Sequence, residues 1–304
     1  MLRSCAPRRP GPARESGRLA ARGEFLQYLD SDDLLLPEKF AAQVHGLRND
    51  PGAGASYGWT RLRRADGSAD ARPFKRSAEK IDTMFPAFLA GRPWNTSTPL
   101  YRAAVCAAAG PWSELWLEED WEYDCRVAAL GTRLHFLPEW VCEYRDHDDL
   151  RLGVGETLDP WRLGQRSEAH VRILGHARRA GVSPETAEMA HFARALFLLA
   201  RQCGLGGLSD ESRRLFTLAR AASMPARSRG WDFRAYRLAA GLLGTLAPSR
   251  PAAFGAVGTP IIIGVNSGLD SATIGAQLAA EGSSWDVFLQ VITGNVAIIH
   301  AMVG

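Results

Sequence analysis

One stretch limits the chain more than any other: Gly23-Glu24-Phe25-Leu26-Gln27-Tyr28-Leu29-Asp30-Ser31-Asp32-Asp33-Leu34-Leu35-Leu36-Pro37. A largely apolar segment, Phe25 to Leu29, runs straight into three carboxylates. That is the pattern of a mostly buried strand in an α/β sheet. Pro37 suits the first turn of a helix, in which Phe40, Val44 and Leu47 share one face. Ligand sites in such sheets lie beyond the carboxyl ends of the strands, where Asp30, Ser31 and Asp32 fall. Three crowded acids repel one another and lose hydration, and two readings offset that cost. In one, a hard divalent cation, Mg²⁺ or Mn²⁺, binds the carboxylates and shares its remaining positions with substrate phosphates. In the other, the acids form a solvated turn and Asp33 caps the helix that follows.

Length allows one large domain, or a domain with a helical appendage, in 304 residues. A formal charge of +3 is modest and gives no reason to invoke nucleic acid. Cys5, Cys106, Cys125, Cys142 and Cys203 are far apart with no CxxC pair, which fits reduced structural thiols. No run of 18 apolar residues marks a transmembrane helix.

Residues 1–16 are rich in Arg and Pro and lack an apolar leader core, so they read as a disordered basic tail. Gly17 to Arg22 is expected to close a helix with Gly23 as its cap. The helix opened by Pro37 should end near Asn49-Asp50-Pro51-Gly52, and residues 53–64 suggest a short, partly wet strand. Trp94 to Arg102 leads into an alanine-rich helix, and Gly110-Pro111-Trp112-Ser113-Glu114 follows. In Leu117 to Gly131 the acids Glu118, Glu119 and Asp120 fall in a first helical turn, where the positive helix end favours them. Leu134 to Tyr144 fits one or two short strands interrupted by Pro138, and Arg145-Asp146-His147-Asp148-Asp149 is a charged loop. His147 there is either a metal ligand or a solvated histidine. From Trp161 to about Ala247 the periodicity is helical, with starts at Ser183-Pro184-Glu185 and Ser209-Asp210-Glu211. Pro251 to Gly304 is apolar and Gly-rich. Within it Asn266-Ser267-Gly268-Leu269-Asp270-Ser271 resembles the phosphate loop of ATP-pyrophosphatases, with Asn266 and Ser267 departing from the pattern. A strand, turn and helix closing an α/β-like unit is the simpler account.

Taken together, several blocks resemble a family-2 glycosyltransferase of the GT-A fold. They are Ala13-Arg14-Glu15-Ser16-Gly17, Ala21 to Phe25, Leu29 to Asp33, Gly110 to Glu114, Glu119-Asp120-Trp121-Glu122-Tyr123 with Arg126, and Tyr144-Arg145 with His147. Order and spacing fit over about residues 13–150. The resemblance implies an incomplete GT-A-like (Rossmann-like) mixed sheet at 17–150; the helical periodicity adds an extension at 151–247, and the apolar tail at 248–304 fits no part of the family. The resemblance also implies an inverting, metal-assisted transfer of a sugar from a nucleotide-sugar donor, a UDP-sugar foremost, to a hydroxyl on a glycan, lipid-linked saccharide or protein. Asp120 is the implied catalytic base. Arg14, Asp30, Trp112 and Glu119 are implied to face the donor, and Asp30, Asp32 and His147 to hold Mg²⁺ or Mn²⁺. Trp112 and Trp121 either present a stacking face to a sugar or pack in the core. A cytoplasmic setting, at the inner membrane face for a lipid-linked acceptor, follows from the same resemblance, although no amphipathic anchor stands out.

Two departures stand out. Glu15 stands where the Ala-Arg-Asn-x-Gly stretch of the family carries Asn. Only 29 residues precede Asp30, whereas the family's amino-terminal strand–helix units need roughly 80. The expectation is therefore an open sheet edge, and either an upstream continuation of the gene or a remnant domain. An inactive scaffold or interaction protein is the alternative function.

Overall fold

The computed structural model describes residues 9–146, 158–224, 230 and 233, together with the backbone of strands 285–292 and 296–303. His147 and the Asn266 to Ser271 loop lie outside the described residues. Helix α1 (Pro10–Ala20) comes first. Residues 10–16 are thus helical, not part of a disordered tail. Pro10 and Pro12 fit the amino-terminal turn, where no intrahelical N–H is needed, and Ala13, Arg14 and Gly17 are buried against the domain. The helix stops at Ala20, short of the Gly23 stop expected.

Strand β1 (Phe25–Leu29) is buried at all five positions. A two-residue strand, β2 (Leu34–Leu35), separates it from α2 (Lys39–Asn49), whose buried face carries Phe40, Val44 and Leu47. Asp33 does not cap α2; the cap position is Glu38, without a side-chain bond. Next is β3 (Ala53–Arg63), longer and drier than its sequence suggested, with its first six residues buried. Strand β4 (Leu100–Arg102) leads into α3 (Ala103–Ala109) and α4 (Glu119–Ala128). Strand β5 (Arg133–Arg145) is one element, not two. It pairs in parallel with β3, and the register slips between Tyr57/Phe136 and Trp59/Trp140. Pro138 lies inside that slip, where a missing N–H breaks no ladder bond. Gly58 faces the slip, and a Cβ there would stand 2.7 Å from the Glu139 carbonyl oxygen and 2.9 Å from that of Leu137.

Helices α5 (Pro160–Arg179), α6 (Ala187–Leu205) and α7 (Ser209–Ala222) form the helical extension. Side-chain bonds from Asp159 and Thr186 cap the first two. Strands β6 (Trp285–Ile292) and β7 (Val296–Val303) form an antiparallel hairpin. The sheet runs β2-β5-β3-β4-β1-β7-β6. It is mixed, because β3–β5 is parallel while the other pairings are antiparallel. The architecture is therefore α/β, a mixed sheet followed by helices. One expectation is overturned: β7 pairs with β1 from Phe25↔Ala301 to Leu29↔Ala297, so the β1 edge is covered. Sequence reasoning did not anticipate this, because local patterning in the tail carries no information about which edge it meets.

The larger core cluster joins Leu26, Tyr28, Tyr57, Trp94, Tyr101 and Tyr123 to Leu163, Ile173, Phe192 and Leu196, so sheet and helical extension share it. A smaller cluster of Phe25, Leu29, Phe40, Val44 and Leu47 seats α2 on the sheet. Cys106, Cys125, Cys142 and Cys203 are buried free thiols. Among the described residues, no helix is long and apolar enough to cross a membrane.

Candidate active site

The β1 strand ends at Leu29, and Asp30 follows in the turn before β2. Burial of α1 brings Arg14 to this point. Its guanidinium donates to Asp30 Oδ1 at 3.0 Å and to Glu119 Oε1 at 2.7 Å. One cation therefore ties together two acidic blocks that are about ninety positions apart in the chain. Arg14 also lies 4.7 Å over the Trp112 ring.

Helix α4 supplies the second block. Glu118, just before it, takes a left-handed φ of 59°, an unfavourable conformation for a non-glycine residue that the surroundings must hold in place. Arg166 and His170 of α5 do so, each 3.0 Å from its carboxylate. His176 of α5 binds Glu122 at 2.7 Å. The helical extension thus grips the acidic helix directly. Trp121 belongs to the same contact: its Nε1 donates to the Phe88 carbonyl at 2.8 Å and its ring meets His170 and Phe192 edge-on.

Residues 92–98 join the two blocks, and sequence reasoning gave them no role. Arg92 donates to Asp120 Oδ2 and to Asp124 Oδ2, both at 2.6 Å. Asp124 also accepts from Trp94 Nε1 at 2.9 Å and from the Tyr101 hydroxyl at 2.5 Å. Further along, Ser97 Oγ donates to Asp33 Oδ2 at 2.6 Å and accepts from the Asp30 N–H at 3.3 Å. Arg145, at the end of β5, donates to the Asp32 carbonyl oxygen. Only one signal in the sequence could have pointed to this segment, the run of hydrogen-bonding residues Asn95-Thr96-Ser97-Thr98 between buried Trp94 and Leu100.

Electrostatics separates the acids. Burial outweighs Arg14 at Asp30, and Asp32 adds repulsion, so its proton affinity rises. Asp33 is pushed well above the carboxylate range by burial and then by Asp30 and Asp32, although Ser97 opposes the shift. Burial likewise lifts Glu119 to about 7 against the pull of Arg14. Asp120 differs. Burial raises it, but Arg92, Arg14 and Lys75 together more than compensate, and its carboxyl lies below the ordinary range.

Asp120, Asp30, Arg14 and Glu119 are thus brought together. Trp112 is buried, stacked on Tyr123 at a ring separation of 3.9 Å and met edge-on by Tyr28, so in this arrangement it is core and offers no sugar-stacking face. Among the described residues, no group of three or more His, Cys, Asp or Glu is placed to hold a metal ion. A two-carboxylate set is a different matter. Burial keeps the proton affinity of Asp30 raised despite Arg14, Asp30 and Asp32 both repel Asp33, and Asp33 Oδ1 is buried without a partner. Such a site fits a hard divalent cation that draws its other ligands from phosphate and water, not an all-protein cage.

No family model matches the chain, and no curated protein matches it. Solved structures that it is similar to include residues 1–349 of S. aureus TarS with UDP (16% identity, 80% of this chain and 73% of that one, TM-score 0.48). The same segment with UDP-GlcNAc gives 16% identity over 80% and 74% of the two chains, with a TM-score of 0.46. The mannosyltransferase PcManGT from Pyrobaculum calidifontis, in complex with GDP-Man and Mn²⁺, gives 20% identity over 78% and 60%, with a TM-score of 0.37.

Proposed function

We propose that this chain transfers a sugar from a nucleotide-sugar donor to an acceptor hydroxyl, with inversion at the anomeric carbon. The supporting observation is the Arg14 bridge, which puts the Asp30 turn and the Glu119-Asp120 turn into one site. In this reading Asp30 and Asp32 face the donor diphosphate and hold Mg²⁺ or Mn²⁺. A divalent cation bound there supplies positive charge to the departing nucleoside diphosphate. Asp120 takes the proton of the acceptor hydroxyl. Its depressed proton affinity keeps it ionised at neutral pH, ready to accept. Arg92 fixes the direction of its carboxylate through a 2.6 Å contact, which pre-orients it for attack geometry.

A second reading has a specific observation behind it. Arg14 and Arg92 already neutralise Asp30, Glu119 and Asp120 from within, as they would in a catalytically silent scaffold. Calorimetric titration with UDP, GDP, dTDP and CMP, each with and without Mn²⁺, separates the two. Micromolar, metal-dependent binding of one nucleotide supports the transferase and names its donor class. No binding by a cooperatively folded chain refutes it and leaves the scaffold.

A further inference from the structure

Arg14 and Arg92 are each committed to two carboxylates. Lys75 is not. Among the described residues no carboxylate pairs with it, and its ammonium donates one hydrogen bond, 3.3 Å to the Trp94 carbonyl. An ammonium has three donors, so two remain to be used. The residue keeps an exposed surface, yet Asp33, Asp120, Asp124 and Arg92 all act on its charge. Its hydrogen bond lands on Trp94, two residues after Arg92, in the segment that also holds Asp120 and Asp124.

The backbone places it there under strain. Lys75 has φ +55°, an unfavourable conformation for a non-glycine residue that persists only where the surroundings enforce it. They do so from both sides. The Phe74 N–H donates to the Thr60 carbonyl at 2.8 Å, and the Phe74 ring stacks on Tyr144. Arg76 donates from its N–H to the Pro93 carbonyl, and from its guanidinium to the carbonyls of Ala87 and Gly91. A merely solvated lysine needs no such bracing. A second, independent observation points to a missing ligand. Asn95, the residue after Trp94, is 5% exposed, and its Nδ2 is buried without a partner.

We propose that Lys75 is an oxyanion-binding residue that donates to the diphosphate of the substrate, with the Asn95 amide as a neighbouring donor. The assignment deepens the nucleotide-sugar reading and rests on it for the source of the diphosphate. As a point charge on a flexible stem, lysine suits a phosphate whose charge grows as the sugar leaves.

The test is calorimetry with inorganic pyrophosphate and with the four nucleoside diphosphates, in Mg²⁺, on the wild type, Lys75→Ala and Lys75→Arg. Thermal melting of each protein accompanies it. The expected result is pyrophosphate binding that Lys75→Ala weakens at least about tenfold and Lys75→Arg largely restores, with melting unchanged. Equal pyrophosphate affinity in wild type and Lys75→Ala overturns the role of Lys75, while nucleotide binding keeps the transferase reading intact. Lys75-dependent pyrophosphate binding without preference for any nucleotide overturns the nucleotide-sugar reading and leaves the role of Lys75 standing. No binding of either probe by folded wild type overturns both.

Discussion

Lys39 is the first residue of α2 and is 1% exposed. Its ammonium donates to the Thr98 carbonyl at 2.6 Å, and Cys142 is the titratable group that favours its charge. Burial, only weakly countered by Cys142, lowers its pKa from 10.5 to about 7. The positive end of the helix adds to the cost of a cation at that position. The sign follows from proton counting. Between pH 7 and 10.5 the unfolded chain holds a proton that the folded chain releases, so stability rises with pH across that window and is lowest below it. A shift of this size costs on the order of 4 kcal/mol at pH 7, and relief of about 2 kcal/mol comes between pH 7 and pH 9. Lys39→Met keeps the volume and removes the charge. It loses one hydrogen bond, worth about 1–2 kcal/mol, but the Thr98 carbonyl still accepts from Gln43 Nε2 at 3.3 Å. Lys39→Met should therefore be about 2–3 kcal/mol more stable than wild type at pH 7, and the gain should shrink towards pH 9. Urea denaturation at pH 7, 8 and 9 reads both quantities. A variant that is no more stable at pH 7, and that follows the wild-type pH slope, refutes the claim that Lys39 is a buried charge without adequate compensation.

Three other substitutions probe the acidic site. Arg14→Ala strands Asp30 and Glu119 in a buried setting, and chemical denaturation should show a loss of about 3–5 kcal/mol at neutral pH. Asp120→Asn should reduce sugar transfer about a hundredfold or more. Its melting temperature should stay close to that of wild type, because Arg92 retains Asp124 at 2.6 Å; near-wild-type transfer would remove Asp120 from the mechanism. Ser97→Ala removes the bond that holds down the proton affinity of Asp33. A carboxyl whose folded value is raised favours the folded state at low pH and loses that advantage as pH rises from about 4. Ser97→Ala should therefore raise the proton affinity of Asp33 further and carry the loss of stability to higher pH than in wild type, by about 1–3 kcal/mol in total in urea denaturation across pH.

Local patterning made the elements around the site legible. The apolar run before Asp30 is β1, the face of Phe40, Val44 and Leu47 is the buried side of α2, and the acids of α4 fall in its first turn. What was illegible depends on contacts far apart in sequence. Nothing near Arg14 announces that α1 buries it against Glu119, 105 positions away. Arg92 looks like any surface arginine until α4 turns Asp120 and Asp124 towards it. Trp112 was undecidable from sequence for a related reason. An aromatic beside an acidic block suits a sugar platform or a core equally well, and the choice was made by Tyr123, which packs flat against it from α4.

The site's charge ties these observations together. Asp30, Asp32, Asp33, Glu119, Asp120 and Asp124 face Arg14, Lys75, Arg92 and Arg145. Six carboxylates against four cations leave a formal excess of negative charge, which the raised proton affinities of Asp30, Asp33 and Glu119 reduce, so a bare diphosphate approaching the Asp30 turn finds little net attraction. Two features reverse that. In the proposed reading a divalent cation on Asp30 and Asp32 would offset their charge, and Lys75 would contribute donors that no carboxylate among the described residues has claimed. Each alone is a partial remedy in a region where burial strengthens every charge. Metal and lysine should therefore act together: Lys75→Ala in Mg²⁺, and wild type in EDTA, should each bind a nucleoside diphosphate weakly, and Lys75→Ala in EDTA not measurably. Full-strength binding by wild type in EDTA would show that the arginines, not the cation, neutralise the phosphate. The Asp30–Asp32 pair would then be a structural turn held by Arg14 and Arg145.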